Sequence, residues 1–176
     1  MKKLIFFSFA GLLFASCNNP GTATNSTTKD STTPPAMNYP YTIKQPDNWN
    51  IGSPQNTMTL LSSLKAYENG NVDEALKDWA DSVHLQFDAM DTTMSKDSIK
   101  PMFIKDRANI KSMNIKMDDW ESVISKDKSE EWVTLWYRQT WEDMDGKKDS
   151  ADIIDDAMFK NGKIARLDEY TRRLHH

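Results

Sequence analysis

The side chains of this sequence that could carry chemistry are its carboxylates, because the other common chemical groups lack a suitable arrangement. The three histidines, His84, His175 and His176, do not have the spacing of metal ligands. The sequence contains neither a glycine-rich phosphate-binding loop nor the serine of a nucleophile elbow. We therefore predict no metal and no cofactor, and aspartate and glutamate remain as candidates for a functional site.

Three helices are predicted in the first half of the domain that would position these carboxylates. The first has Ser53 as its N-cap and ends at Gly70. Asn71 begins a capping box for a short second helix. Ser98 is predicted to cap the third helix, with Pro101 in its first turn.

The remainder of the domain is predicted to be β structure. Alternation of apolar and polar residues over 83–88 indicates a half-buried strand after the second helix. Asp145-Gly146 and Asn161-Gly162 are hairpin signals in the second half of the chain. Helices followed by an antiparallel meander predict an α+β domain in which helices cover a curved sheet and enclose a cavity. The meander strands are expected at about 112–125, 130–143, 147–160 and 163–172.

The N-terminus has the layout of a secretory signal, a short basic region followed by an apolar run that is too short to span a bilayer. The stretch FASC that ends at Cys17 resembles the lipobox of bacterial lipoproteins, with Phe14 where leucine is usual. This resemblance implies that Cys17 is acylated, with palmitate among the attached chains. The alternative is an unmodified thiol, which could not form an internal disulfide because Cys17 is the only cysteine.

These features divide the chain into three predicted segments. Residues 1–16 form a signal peptide, 17–50 a lipidated cysteine with a flexible tether and extended arm, and 51–174 the folded domain. No acidic run follows Cys17, so we expect the protein in the bacterial cell envelope, anchored to the outer membrane and facing the periplasm. Removal of Lys2 and Lys3 takes the formal charge from -4 to -6, and this argues against nucleic acid as a partner.

Three stretches in the domain, YENGNVDEALKDWADS, IIDDAMF and FKNGKIARLDEY, resemble the nuclear transport factor 2-like superfamily. That superfamily includes SnoaL-like polyketide cyclases and ketosteroid isomerase, and the resemblance spans roughly residues 55 to 172. It implies a cone-shaped barrel in which a curved antiparallel sheet wraps over three N-terminal helices around an internal cavity. Some members use the cavity for catalysis and others only for binding, so the fold does not decide the activity.

The resemblance to ketosteroid isomerase assigns possible roles to three residues. These enzymes stabilise an enolate with a tyrosine and a protonated aspartic acid, and a second aspartate moves the proton. Asp155 falls at the position of the protonated acid and Asp88 near that of the base, whereas Ser63 occupies the tyrosine position. Two structural alternatives remain open: Asp155 could lie on a solvated strand edge, and Asp88 could be a turn residue.

The predicted strand register decides which other residues face the cavity. With Asp155 inside, the hairpin partner strand would present Trp136, Arg138 and Thr140 inward. Arg138, Asp155 and Glu169 would then form either a binding group or an ion pair that only satisfies buried charges. The full predicted cavity lining is Ser63, Trp79, Met102, Trp136, Arg138, Thr140, Leu167 and Glu169, with Trp132 near the end of the inward row.

The same register would place a second row of apolar residues on the outside of the sheet. A lone sheet should not expose such a row, so it favours a homodimer through this face. The row consists of Val133, Leu135, Tyr137 and Trp141.

Three functions are compatible with these patterns. The favoured one is a lipid-anchored binding protein whose cavity takes a small, partly apolar ligand, or an accessory module that binds another protein. The first alternative is an isomerase or cyclase that acts on an enolisable substrate, with Asp155 as the proton donor and Asp88 as the base. The second alternative is a purely structural, dimeric envelope protein.

Overall fold

The computed structural model describes residues 38–43 and 48–174. The predicted signal peptide, Cys17 and most of the predicted tether lie outside these residues. All helices and strands described below belong to one compact unit, Thr42–His176; of the other unit, Met1–Tyr41, only 38–41 are described. Within the described ranges, no helix has the length and apolar character needed to cross a membrane.

Three helices form where they were predicted, with one change of boundary. α1 is Pro54–Glu68, α2 is Val72–Ala75 and α3 is Lys96–Ala108. The oxygen of Ser53 accepts a hydrogen bond from the second residue of α1, as expected of an N-cap. The prediction that Ser98 caps α3 is wrong, because the Ser95 side chain accepts the Ser98 N–H bond and starts the helix earlier.

The sheet has seven strands in the order β1-β4-β5-β6-β7-β2-β3. The long strands of the meander are confirmed, whereas the short edge strands β1 and β3 were not predicted. All neighbours pair antiparallel except β2 and β7, which are parallel. The strand bounds are β1 Trp49–Ile51, β2 Trp79–Phe87, β3 Met90–Ser95, β4 Ile110–Ser125, β5 Glu131–Asp143, β6 Lys148–Lys160 and β7 Lys163–Arg173.

The β5–β6 hairpin differs from the predicted register by one residue. A two-residue turn at Asp145-Gly146 would pair Met144 with Lys147. Instead, the Asp143 N–H donates to the Lys147 carbonyl, and Oδ1 of Asp143 accepts from the N–H groups of Asp145 and Lys147. The loop therefore has three residues, with Gly146 at a φ of +82°. One extra loop residue exchanges the two faces of the strand.

As a result, the row predicted to lie outside the sheet is buried inside it. Leu135 pairs with Asp155, and both Val133 and Leu135 are completely buried. We call this side, which packs against the helices, the inner face, and the opposite side the outer face. The row therefore gives no support to a homodimer, because Val133, Leu135 and Tyr137 are in the core and Trp141 packs against it.

Candidate functional site

A cavity of about 520 Å³ lies between the helices and the inner face of the sheet. This volume is within the range of small-molecule sites in proteins. Its wall is largely apolar and includes Leu60, Met102 and Leu167. We call it the inner cavity. Six aromatic side chains contribute to its lining: Tyr67, Trp79, Phe87, Phe103, Tyr137 and Trp141.

Asp155, near the middle of β6, is the buried acid of the inner cavity. Its side chain is only 5 % exposed. Oδ2 accepts a hydrogen bond of 2.9 Å from the Tyr137 hydroxyl on β5. Oδ1 is buried and has no hydrogen-bond partner among the described residues. One oxygen of this carboxyl group is thus fixed, and the other is left without a bond in a cavity wall.

The surroundings of Asp155 favour its neutral form. Burial raises the pKa of the carboxyl group to about 8, and the nearby charge of Glu169 contributes to the increase. The Tyr137 hydrogen bond acts in the opposite direction and is the smaller effect. At neutral pH Asp155 is therefore mainly a carboxylic acid, which can donate one hydrogen bond as well as accept.

Glu169 faces Asp155 from the neighbouring strand β7, where the two are directly paired. Burial is also the main cause that raises the pKa of Glu169, and the charges of Asp88 and Asp106 add to it. The Thr171 hydroxyl donates a 2.9 Å hydrogen bond to the Glu169 carboxylate and partly opposes this increase. Two acidic side chains on adjacent strands therefore share one poorly solvated region.

A second polar group reaches the cavity from the helices. The Tyr67 hydroxyl of α1 donates a hydrogen bond to Asp106 of α3, and both residues line the cavity. Burial and the contact with Asp106 raise the pKa of Tyr67 above its ordinary value. Tyr67 is therefore a neutral phenol that links two helices at the cavity wall.

Arg107 holds this helical part of the site in place. Its guanidinium group donates to the carbonyl groups of Tyr67 (3.1 Å) and Glu68 (3.0 Å) in the last turn of α1. A third bond of 2.7 Å reaches the Ile110 carbonyl at the start of β4. A cation at the C-terminus of a helix satisfies carbonyl groups that have no partner within the helix and is favoured by the helix dipole. Arg107 thus fixes Tyr67 relative to the sheet.

Five of the predicted lining residues do line the inner cavity. The structure places them on α1, β2, α3 and β7. The Ser63 hydroxyl donates to the Ala75 carbonyl (2.7 Å) and accepts from the indole N–H of Trp79 (3.1 Å). These bonds tie α1 to α2 and β2, and they occupy the hydroxyl at the position where ketosteroid isomerases have a tyrosine. The five residues are Ser63, Trp79, Met102, Leu167 and Glu169.

The prediction that Trp136, Arg138 and Thr140 face the cavity is wrong. The three-residue β5–β6 loop turns these side chains to the outer face, together with Trp132. There, Arg138 forms an ion pair of 2.7 Å with Asp152. The predicted convergence of Arg138 with Asp155 and Glu169 therefore does not occur, and the two acids lack an internal arginine partner from this strand.

Asp88 is not part of the cavity wall. It lies in the exposed turn between β2 and β3, with a φ of +44°, and the residues on either side of this turn, Phe87 and Met90, line the cavity instead. The polar β3 strand continues directly from this turn. The position supports the turn alternative that the sequence had left open. A base role for Asp88 at Asp155 has no geometric support.

Tyr67, Asp106 and Tyr137 line the cavity but were not predicted as site residues. Tyr67 and Asp106 each lie four residues after a predicted lining residue, Ser63 and Met102 respectively, so both share its helix face. Helical spacing could have identified them. Tyr137 was assigned to the wrong face by the same one-residue shift that misplaced Arg138.

The fold of this domain is similar to that of several solved protein structures. A nuclear transport factor 2-like protein from Exiguobacterium is 15% identical, with a TM-score of 0.53 over 65% of this chain and 98% of its own. A second such protein, from Burkholderia pseudomallei, is 13% identical, with a TM-score of 0.54 over 68% and 92%. AusH from Aspergillus nidulans is 14% identical, with a TM-score of 0.56 over 70% and 87%. No protein-family model and no curated protein matches the sequence.

The described domain therefore has the nuclear transport factor 2-like fold, an α+β cone in which a curved sheet surrounds a cavity covered by helices. This confirms the predicted fold class. Identities of 13 to 15% establish the fold alone. The chemistry of this chain has to be inferred from Asp155 and the residues around it.

Proposed function

We propose that the inner cavity binds a small, partly apolar molecule whose polar end meets Asp155. The observation that carries this proposal is the buried Oδ1 of Asp155, which has no hydrogen-bond partner among the described residues. A buried polar atom without a partner costs about 1–3 kcal/mol. A ligand that bonds to this oxygen would remove the cost, and its apolar part would lie against the aromatic wall.

Ligand binding in the inner cavity can be tested with a substitution that fills the cavity. Thr171 is an exposed residue that lines the cavity, and Thr140 is an exposed residue of the outer face. We expect native mass spectrometry of the full chain, purified from membranes, to find a small molecule retained by the wild type and by Thr140→Trp. Thr171→Trp should lose it, because the indole occupies the cavity.

Equal retention by the two tryptophan variants would contradict binding in the cavity. Absence of any retained molecule from all three proteins, together with no stabilisation in a thermal-shift screen of metabolites, would favour the accessory module that binds a protein instead.

We propose that the domain is held at the outer membrane, facing the periplasm, by acyl chains on Cys17. The FASC stretch, the apolar run before it and the polar tether after it support this proposal. Protein expressed in a Gram-negative host is expected to begin at Cys17 and to carry the mass of the attached chains. A mature protein that begins at another residue, or an unmodified Cys17, would contradict the anchor.

A proton-transfer enzyme of the isomerase or cyclase type is the second candidate. It is favoured by the direct pairing of Asp155 with Glu169, in which Asp155 would donate to an enolate oxygen and Glu169 would replace Asp88 as the base. Deuterium exchange at the carbon next to the carbonyl group of cyclohex-2-enone separates this candidate from simple binding. Catalysed exchange that is lost in both Asp155→Asn and Glu169→Gln supports an enzyme, and exchange at the background rate in the wild type opposes it.

A further inference from the structure

We infer that the ligand of the inner cavity is an organic cation, an amine joined to an aromatic or other apolar group. The inference rests on the proposed binding function and names its ligand class. It follows from three properties of the cavity wall: an excess of carboxyl groups, a buried acid with a free oxygen, and a high content of aromatic rings.

The first property is the charge of the lining. Four acidic side chains line the cavity: Asp106, Asp143, Asp155 and Glu169. Among the described lining residues, Arg173 is the only basic one, and it is largely exposed and already in contact with Asp149 at 3.4 Å. An anionic ligand would meet a single basic side chain among these lining residues, whereas a cation would meet four carboxyl groups that can carry negative charge.

The second property is the facing pair Asp155 and Glu169. The charge of Glu169 disfavours ionisation of Asp155, and burial disfavours ionisation of both carboxyl groups. An ammonium group beside them would replace this repulsion with attraction, and one of its N–H groups could donate to the free Oδ1 of Asp155. A buried acid with one oxygen that lacks a partner among the described residues is thus complementary to a donor that carries positive charge.

The third property is the aromatic content of the wall. A cation within about 6 Å of an aromatic ring centre is attracted by the face of the ring. Trp141 already makes such a contact, since the Arg173 guanidinium lies 5.5 Å from its ring centroid. The other five rings of the lining could act in the same way on an ammonium group deeper in the cavity.

A pH dependence distinguishes a cation from a neutral ligand. The ionisable groups close enough to act on the acidic pair are Tyr137, Tyr67, Asp106 and Arg173 in the cavity wall, together with Asp156 on β6 and Asp88 in the exposed β2–β3 turn. Because a bound cation stabilises the ionised pair, it releases protons, and its affinity is expected to rise between pH 6.5 and 8.5. A neutral acceptor, bound by the protonated Asp155, would show the opposite trend.

The experiment compares three probes that share an indole ring. They are tryptamine, which is a cation, tryptophol, which is neutral, and indole-3-propionate, which is an anion. Binding to the full chain in detergent is measured by isothermal titration calorimetry at pH 6.5 and 8.5, with a detergent blank. We expect tryptamine to bind most tightly, and to bind at least several-fold more tightly at the higher pH.

Variants of Asp155 and Glu169 test whether tryptamine binds beside these two acids. Glu169→Gln and Asp155→Asn are each expected to weaken tryptamine binding roughly 10- to 100-fold, as expected for a lost hydrogen bond to a charged group. Glu121→Gln, an exposed change of the same kind on β4, should leave the affinity unchanged. Circular dichroism shows whether each variant is folded, and the comparison of the three probes on the wild type does not depend on any variant.

Tighter binding of tryptophol or indole-3-propionate than of tryptamine would overturn the cationic ligand but leave the binding function intact. Tryptamine affinity that falls between pH 6.5 and 8.5 would also overturn it. If none of the three probes binds to the wild type, the inference fails as well. The retention experiment with Thr171→Trp and Thr140→Trp then decides the binding function separately.

Discussion

Replacement of Asp155 with asparagine is expected to stabilise the domain at pH 8 and to flatten the pH dependence of its stability. The pKa of Asp155 is about 8 in the folded protein and close to 3.9 in an unfolded chain. Between these values the folded state keeps a proton that the unfolded state releases. The free energy of unfolding therefore falls as pH rises, by up to about 1.4 kcal/mol per pH unit.

The direction in which stability changes with pH follows from the raised pKa of Asp155. The stability that the folded state gains by keeping Asp155 protonated is fully present below about pH 4. It is lost as pH rises through about 8. Asparagine resembles the neutral acid in shape, and its carbonyl oxygen can keep the Tyr137 hydrogen bond. Because Glu169 also has a raised pKa, some decrease with pH should remain in the variant.

Urea unfolding at pH 5, 6.5 and 8, followed by tryptophan fluorescence, measures this difference. Asp118→Asn is the matched control, since Asp118 is exposed on β4 and its replacement should leave the slope with pH unchanged. A variant that is less stable than the wild type at pH 8, with an unchanged slope, would show that Asp155 is ionised and stabilising in the folded state.

Alanine at position 135 is expected to destabilise the domain by about 2–5 kcal/mol, the usual cost of truncating a core leucine. Leu135 is completely buried on the inner face. Its neighbour Trp136 lies on the outer face and is half-buried. Trp136→Ala should therefore cost less than Leu135→Ala, although it removes the larger side chain.

Thermal and urea unfolding of the two variants compare their costs directly. The register that a two-residue Asp145-Gly146 turn would produce requires the reverse order. A greater loss of stability in Trp136→Ala than in Leu135→Ala would therefore show that the three-residue loop is wrong.

The fold was predictable because its signals are local and agree with one another. The Ser53 cap, the Asn161-Gly162 turn and the long alternating strands are each visible in a few neighbouring residues. The register of β5 was not predictable in this way. It depends on whether the Asp143 side chain accepts hydrogen bonds from the loop N–H groups. The same amino-acid sequence is compatible with both a two-residue and a three-residue loop.

The candidate site was only partly predictable for the same kind of reason. Asp155 and Glu169 both face the cavity as predicted, but the β6–β7 turn alone does not explain their pairing. The turn pairs Lys160 with Lys163 and would place Asp168 opposite Asp155, and a register shift next to Phe159 brings Glu169 to this position instead. For Asp88 the sequence left a base role and a turn position open, and the turn is found because β3 follows Asp88 at once. β3 is an edge strand of mainly polar residues, and it lacks the apolar alternation that identifies a strand in a sequence.

The parallel pairing of β2 with β7 also has a consequence for the order of folding. The hydrogen bond between Arg166 and Gln86 joins residues 80 positions apart in the chain. Contacts of this sequence separation carry a large loop-closure cost, and they form once the hairpins between them exist. Newly synthesised chains should therefore complete the β4–β7 meander first, and they become able to capture a ligand only at the last step, when β2 docks.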